Sequence, residues 1–344
     1  MTSIPYKKIL GRALLVYAAL VVLFTAGAWD RIAEISLFGL PFYAVYGAVI
    51  LILTSLILLY FLFLKRRHDR GKRAFGLRVI ETVHRYRFLL EQLVTRDFKI
   101  KYKRSVLGVF WSFLNPLLMM LVQYVVFSRL LNIRGDIAHY AIYLLCGIVI
   151  WNGFNDCSTQ SMRSITGNSH LITKVYVPKY IYPISKVLSA TINIVLSMVP
   201  LLLVTVVYGL FSTPKLYLSK AILLLPFALM MLLVFCIGIG FILSTLMVFF
   251  HDIEFLWSVF ATIWMYATPI IYSLSMFKEG SGFLLKIMEF NPMYHYISFV
   301  RTLILERTAP SFAEMGVTAL FSIGMFLIGF LIFKKNQDKF VLYL

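Results

Sequence analysis

The sequence predicts an all-α, polytopic membrane protein, and three observations carry that prediction. Hydrophobic residues make up 60% of the 344 and charged residues only 14%, a balance far from that of a water-soluble domain. Eight apolar runs, Ala13–Ala28, Leu40–Leu64, Val106–Leu130, Ala138–Ser158, Ile184–Leu210, Ala221–Phe250, Phe255–Met276 and Met315–Phe333, approach or exceed the ~20 residues that a helix needs to cross hydrocarbon. Charged residues collect in the segments between those runs. Helix is the expected form because in lipid every backbone N–H and C=O must find its partner within the segment.

The first run follows Lys7, Lys8 and Arg12 and ends in Ala26-Gly27-Ala28, which imitates a cleavable signal peptide; it is read as a retained helix. The second run ends in the tract Lys65-Arg66-Arg67-His68-Asp69-Arg70-Gly71-Lys72-Arg73, which cannot enter lipid. That boundary gives three parts: a two-helix extension over 1–64, a basic hinge with an interfacial helix over 65–105, and a six-span core over 106–344. Within the hinge, Val79, Val83, Tyr86, Leu90 and Leu93 recur at helical spacing, widened by Ile80, Leu89 and Val94, with Arg78, Glu81, Arg85, Arg87, Glu91 and Arg96 elsewhere. The pattern predicts a helix over Arg78–Gln92 lying in the interface, apolar side in the acyl boundary and charges in water.

Two loops stand out. Residues 159–183 begin polar and end at Pro178 and Pro183; between them Asn168 or Ser169 is expected to cap a short helix through Leu171, Ile172 and Val175. Residues 277–312 are too apolar for a solvated loop and too broken for a span, interrupted by Gly280, Gly282 and Pro292. Such a stretch can dip into a leaflet where protein shields its backbone.

Orientation follows from the basic residues, which are retained on the cytoplasmic side. With both termini inside, 24 of the 33 Lys and Arg fall in cytoplasmic segments. The formal charge of +18 is then mostly a cytoplasmic face attracting anionic membrane lipids. No nucleic-acid-binding module accompanies it. Cys146, Cys157 and Cys236 lie inside predicted spans without metal-ligand spacing, so neither a disulfide framework nor a metal site is expected.

Catalytic signatures are missing. There is no G-x-x-x-x-G-K-[ST] phosphate loop, no G-x-S-x-G and no H-E-x-x-H, and the only carboxylate within a predicted span is Asp156, near one helix end. Energy must come from elsewhere. Aromatic residues are frequent at 16%. Phe113, Leu117, Met120, Tyr124 and Phe127 share one face of the third run, and Trp257, Phe260, Trp264, Thr268 and Ile271 share one face of the seventh. Packing or an interfacial belt is one reading of these rings; a lining on which sugar rings stack is the other.

The tract from Arg96 to Pro116, Arg96-Asp97-Phe98-Lys99-Ile100-Lys101-Tyr102 followed by Ser105-Val106-Leu107-Gly108-Val109-Phe110-Trp111 and Asn115-Pro116, resembles the opening of the first core helix in the type-2 ABC transporter permeases that export polysaccharides. Asn168 to Pro183 resembles that family's coupling loop, Phe249-Phe250-His251-Asp252-Ile253 the turn before its fifth core helix, and Asn291-Pro292 with Arg301 its outer re-entrant segment. The likeness covers roughly 78–344. His251 stands where the family usually has Arg, and the extension before residue 65 lies outside the common core.

The resemblance implies a transport subunit that is not itself an enzyme, in the bacterial cytoplasmic membrane. It implies a second copy of the chain, two copies of a separate ATP-binding cassette subunit holding ATP and Mg, and a lipid-pyrophosphate-linked polysaccharide such as O-antigen, teichoic acid or capsule as cargo. Arg96, Lys99, Lys101, Lys103 and Arg104 would meet the pyrophosphate headgroup. Phe113, Tyr124, Phe127, Trp257, Phe260 and Trp264 would line the channel. Asn168, Leu171, Ile172, Lys174 and Val175 would dock the ATP-binding subunit. Two rivals stay open: a drug or small-lipid exporter of the same architecture, and a membrane glycosyltransferase or ligase, for which Asp252 and Glu254 are the only close cytoplasmic acids.

Overall fold

The computed structural model describes residues 6–29, 36–37, 40–41, 75–103, 105–131, 137, 139–174, 177–211, 219–273 and 282–344, with the single residues 55, 59 and 63. Helix dominates. The one departure from an all-α chain among the described residues is a short antiparallel pair, β1 (Ser36–Leu37) with β2 (Leu40–Pro41). The predicted span Leu40–Leu64 and the basic tract 65–73 fall almost wholly outside the described residues. The chain divides into two units, Met1–Gln92 with Lys220–Phe227, and Leu93–Ser219 with Ala228–Leu344.

In the first unit, α1 (Tyr6–Gly27) packs on the 3₁₀ turn Lys220–Leu224, and Phe24 meets Phe227 edge-on at 5.6 Å. Helix α2 (Phe75–Tyr102) begins here. It outruns the predicted Arg78–Gln92 by ten residues at its C-terminal end, because neither Pro nor Gly stands between Leu93 and Tyr102 to stop it. Arg96, Lys99 and Lys101 therefore sit on a rigid helix.

The second unit is a helical bundle. It contains α3 (Phe110–Gln123, continued by wider π-helical turns over Tyr124–Leu130), α4 (Tyr140–Met162), α5 (Ser169–Lys174), α6 (Ile181–Phe211) and α7 (Leu225–Phe249, begun in the first unit). Then come α8 (Ile253–Ala267), α9 (Gly282–Glu289), α10 (Pro292–Arg301), α11 (Phe312–Asn336) and α12 (Phe340–Tyr343). Helix α4 is central, burying Leu144, Leu145, Ile148 and Phe154 against its neighbours α3, α6 and α10. Between α7 and α11 the backbones nearly touch: a Cβ on Gly238 would stand 2.5 Å from the Met325 carbonyl, and one on Gly329 would overlap Gly238. Lipid offers no hydrophobic drive between helices, so this contact relies on van der Waals packing that small residues permit.

Among the described residues, four helical stretches are long and apolar enough to cross a membrane: Phe110–Leu130, Ile181–Phe211, Lys220–Phe249 and Phe312–Tyr343. Two of the remaining predicted spans differ in instructive ways. Helix α4 has the length, 23 residues, but its inner half carries Asn152, Asn155, Asp156, Thr159 and Gln160. The predicted span Phe255–Met276 stops at Ala267, only 15 residues into α8. Thr268 turns extended (φ −98°, ψ 132°), as expected of a residue preceding proline, here Pro269. The outer stretch predicted as broken forms α9 and α10, and α11 then opens with a capping box in which Ser311 and Glu314 exchange side-chain and backbone hydrogen bonds.

Candidate functional site

At the basic end of the second unit, the inner end under the orientation that the basic residues predict, α2, α4, α6 and the α5 loop converge. Asp97 on α2 is held by Arg96 (Nη2 to Oδ1, 3.0 Å) and by Lys186 of α6 (Nζ to Oδ2, 2.8 Å). Arg96 also donates to the Asn168 carboxamide oxygen at 3.1 Å, while the Asn168 nitrogen donates to the Ser164 carbonyl at 2.8 Å. Asn168 is buried inside a 3₁₀ turn, Thr166–Asn168. It therefore does not act as the expected helix cap; its side chain ties the α5 loop to α2. In α5, Ile172 is buried, Leu171 is half-buried and Lys174 is exposed. Val175 and Arg104 lie outside the described residues.

One turn further along α2, Lys101 pairs with Asp156 of α4 at 2.9 Å. Tyr102 donates to Asn193 of α6 at 2.7 Å and shares a short hydrogen bond with Ser112 of α3; Asn193 in turn donates to Asp156 at 3.4 Å. At the other side of α4, Arg163 pairs with Glu254 at the start of α8. Each of these carboxylates thus has a cationic partner, which leaves Lys99 and Lys103 as exposed charges without an anionic partner among the described residues. Asp252 is exposed, and His251 beside it is exposed as well.

Three cavities surround the inner half of α4. One of about 570 Å³ at the mouth is lined by Arg96, Lys101, Arg163, Asn168 and Lys186. A second, about 500 Å³, lies between α3, α4 and α6, with Trp111, Asn115, Asn152, Asn155, Asp156 and Asn193 in its wall. A third, about 450 Å³, lies between α4 and α8 against Asn155, Thr159, Trp257 and Thr262. Thr159 borders all three. The residues at 152, 155, 156, 159 and 163 follow i, i+3, i+4, i+7, i+11 and so share one helical face. That spacing is visible in the sequence, where Asp156 stands out as the one carboxylate within a predicted span.

The aromatic candidates divide. Trp257 is buried, and Trp264 is part of a ring cluster with Phe154 (5.2 Å), Phe260 (5.5 Å) and Trp151 (6.2 Å). Phe260 itself is about half exposed. Phe113 is partly exposed and stacks on Phe110 at 5.5 Å, Tyr124 lies 6.1 Å from Tyr140, and Phe127 is partly exposed.

Outside this region, Arg301 closes the outer end. Its guanidinium is buried, with no carboxylate among its bonds, and donates to the carbonyls of Pro269 (2.7 Å), Ile270 (2.9 Å) and Tyr143 (3.2 Å) while lying 3.3 Å over the Tyr143 ring. Gly147 makes room: a Cβ there would meet Ile270 at 2.8 Å and Arg301 at 3.1 Å. The Pro269 and Ile270 carbonyls just past the end of α8 thus receive a cation, the usual remedy at a helix C-terminus. Asn291 completes the closure by capping α10 through Met293 N–H (3.0 Å), accepting from Trp264 Nε1 (2.8 Å) and donating to Thr268 (2.9 Å).

A bundle of apolar helices with a short helical loop and a basic mouth at one end and broken helices at the other fits a membrane-embedded transport subunit. The family model of the ABC-2 type transporters matches residues 89–305, well over half the chain, and the chain belongs to that family. The O-antigen export system permease protein RfbA of Myxococcus xanthus is 28% identical over 264 residues, 77% of this chain and 98% of that protein. A protein of the same description from Klebsiella pneumoniae is 29% identical over 252 residues, 73% of this chain and 93% of its own. The chain is accordingly a multi-pass permease subunit of an ABC transporter, served by an ATP-binding subunit instead of hydrolysing ATP itself. The family match begins within α2, so α1 lies outside it.

Proposed function

We propose that this permease exports a lipid-pyrophosphate-linked polysaccharide of the O-antigen type across the bacterial cytoplasmic membrane, as two copies of the chain beside two ATP-binding subunits, with both termini in the cytoplasm. The observation that carries the reading is the near full-length likeness to O-antigen export permeases. The basic mouth supports it: Arg96, Lys99 and Lys101 sit along one end of α2 with Lys103 just beyond it, where cations favour an arriving pyrophosphate through charge-assisted hydrogen bonds. The α5 loop with Leu171, Ile172 and Lys174 is the docking surface for the ATP-binding subunit, whose ATP and Mg supply the energy. Its bond to Arg96 through Asn168 gives motion at the loop a direct route into α2. Phe113, Tyr124, Phe127 and Phe260, whose rings are at least partly open, are the better placed of the aromatic candidates for contact with sugar. Trp257 and Trp264 then serve as the wall behind them.

The test is genetic and biochemical. Cells lacking this gene should lose the surface polysaccharide and accumulate its lipid-linked form inside, and the intact gene should restore both. Normal surface polysaccharide together with loss of resistance to a drug would replace this reading with that of a small-molecule exporter.

A further inference from the structure

The inner half of α4 sets polar side chains where hydrocarbon would otherwise be. At 1.5 Å per residue, Asn152 stands about 15 Å from the Met162 end of the helix, near half the thickness of a membrane core. Asn152 and Asn155, with Asn115 on α3, are exposed, and their carboxamides have no hydrogen-bond partner among the described residues. An amide left unpaired in lipid is costly, so this face must meet water or a polar ligand. All three line the cavity of about 500 Å³ together with the half-exposed indole of Trp111. Asn155 and Thr159 also border the cavity on the α8 side.

We infer that Asn115, Asn152 and Asn155, with Trp111 beside them, form a carbohydrate-binding track along the inner half of the passage, adjoining the cationic mouth with which its cavity shares Lys101 and Thr159. The inference rests on the polysaccharide reading above. The chemistry of the wall selects the ligand class. A carboxamide offers two donors and one acceptor, which matches neighbouring sugar hydroxyls, and an indole face covers the C–H surface of a sugar ring. The charged groups nearest to it, Lys101 and Asp156, are closed on each other, so the wall presents neutral hydrogen-bonding groups and suits uncharged sugar units better than phosphate. The mouth cavity holds Arg96, Arg163 and Lys186 and suits the reverse. Three carboxamides at successive depths would hold each sugar weakly and let the chain advance by one unit.

The experiment uses the permease with its ATP-binding subunit in proteoliposomes, and two probes: the lipid-linked polysaccharide purified from the source cells, and the same lipid pyrophosphate carrying a single sugar. Asn115→Leu, Asn152→Leu and Asn155→Leu should each slow export of the long chain, roughly tenfold at the strongest if one hydrogen bond per sugar is lost, with a smaller loss for the single-sugar probe. Asn→Gln at the same positions should recover part of the rate. Independently, Asn152→Cys and Asn155→Cys should react with a membrane-impermeant thiol reagent from the cytoplasmic side, the native Cys146, Cys157 and Cys236 being buried, and the polysaccharide should protect them while the single-sugar probe does not. Equal losses for both probes, or cysteines inert to the reagent because a second copy seals the face, would overturn the inference and leave the exporter reading standing. A wild-type complex that moves neither probe would instead remove the exporter reading, and this inference with it.

Discussion

The two ends of the second unit are built on opposite plans. At the outer end every polar side chain that matters is buried and bonded: Arg301 to three carbonyls, Asn291 to three partners. At the inner end the pairs Lys101–Asp156 and Arg163–Glu254 are substantially exposed, carboxamides stand unpaired, and three cavities adjoin. A buried, satisfied polar network fixes one geometry; exposed pairs are weak and exchangeable. The outer end therefore holds the broken helices together, and the inner end is free to bind and to move.

That contrast breaks most easily at Arg301. Arg301→Met leaves the buried carbonyls of Pro269 and Ile270 without their donor and should cost about 2–6 kcal/mol, at about 1–3 kcal/mol for each unsatisfied group, seen as poor membrane yield and a large drop in melting temperature. Protein of normal melting temperature would mean that the outer end is not the rigid part. A smaller effect is expected at Trp264. Trp264→Phe removes one hydrogen bond to Asn291 and should cost about 1 kcal/mol. Trp257→Phe gives the internal control, since it removes the same ring volume from a buried indole whose N–H has no partner among the described residues; its melting temperature should fall less than that of Trp264→Phe, and an equal loss would show an unseen partner.

The inner end should answer in activity before stability. Lys101→Met breaks an exposed pair worth at most about 1 kcal/mol, so its melting temperature should stay within a few degrees of wild type while polysaccharide export falls. Lys174→Glu, at an exposed position on α5, should leave melting untouched and weaken co-purification of the ATP-binding subunit. Unchanged co-purification would move the docking surface elsewhere.

Much of this was legible beforehand. The apolar runs gave the helices because composition and length alone decide what lipid accepts. Their ends were less secure: the break after Ala267 was written in Pro269, yet the apolar run through Met276 masked it. The basic residues on α2 were visible as charges, and the polar face of α4 as spacing, but a stripe of Asn and Thr within an apolar run reads weakly beside the long runs around it.

Partners were another matter. Lys186 reaches Asp97, and Tyr102 reaches Asn193, across some ninety positions of chain, a distance over which sequence pattern carries no register. Arg301 is the sharper case. A buried cation predicts an anion, and none among the described residues is bonded to it; its partners are the Tyr143 carbonyl in the first turn of α4 and the Pro269 and Ile270 carbonyls just past the break in α8, groups that every residue possesses. The sequence by itself determined the membrane class, the helical content and the clustering of basic residues beside the spans, because these follow from the chemistry of side chains. Only the tertiary structure decided which backbone carbonyls are freed, which charges meet and where the cavities open, because these depend on how separate helices pack against one another.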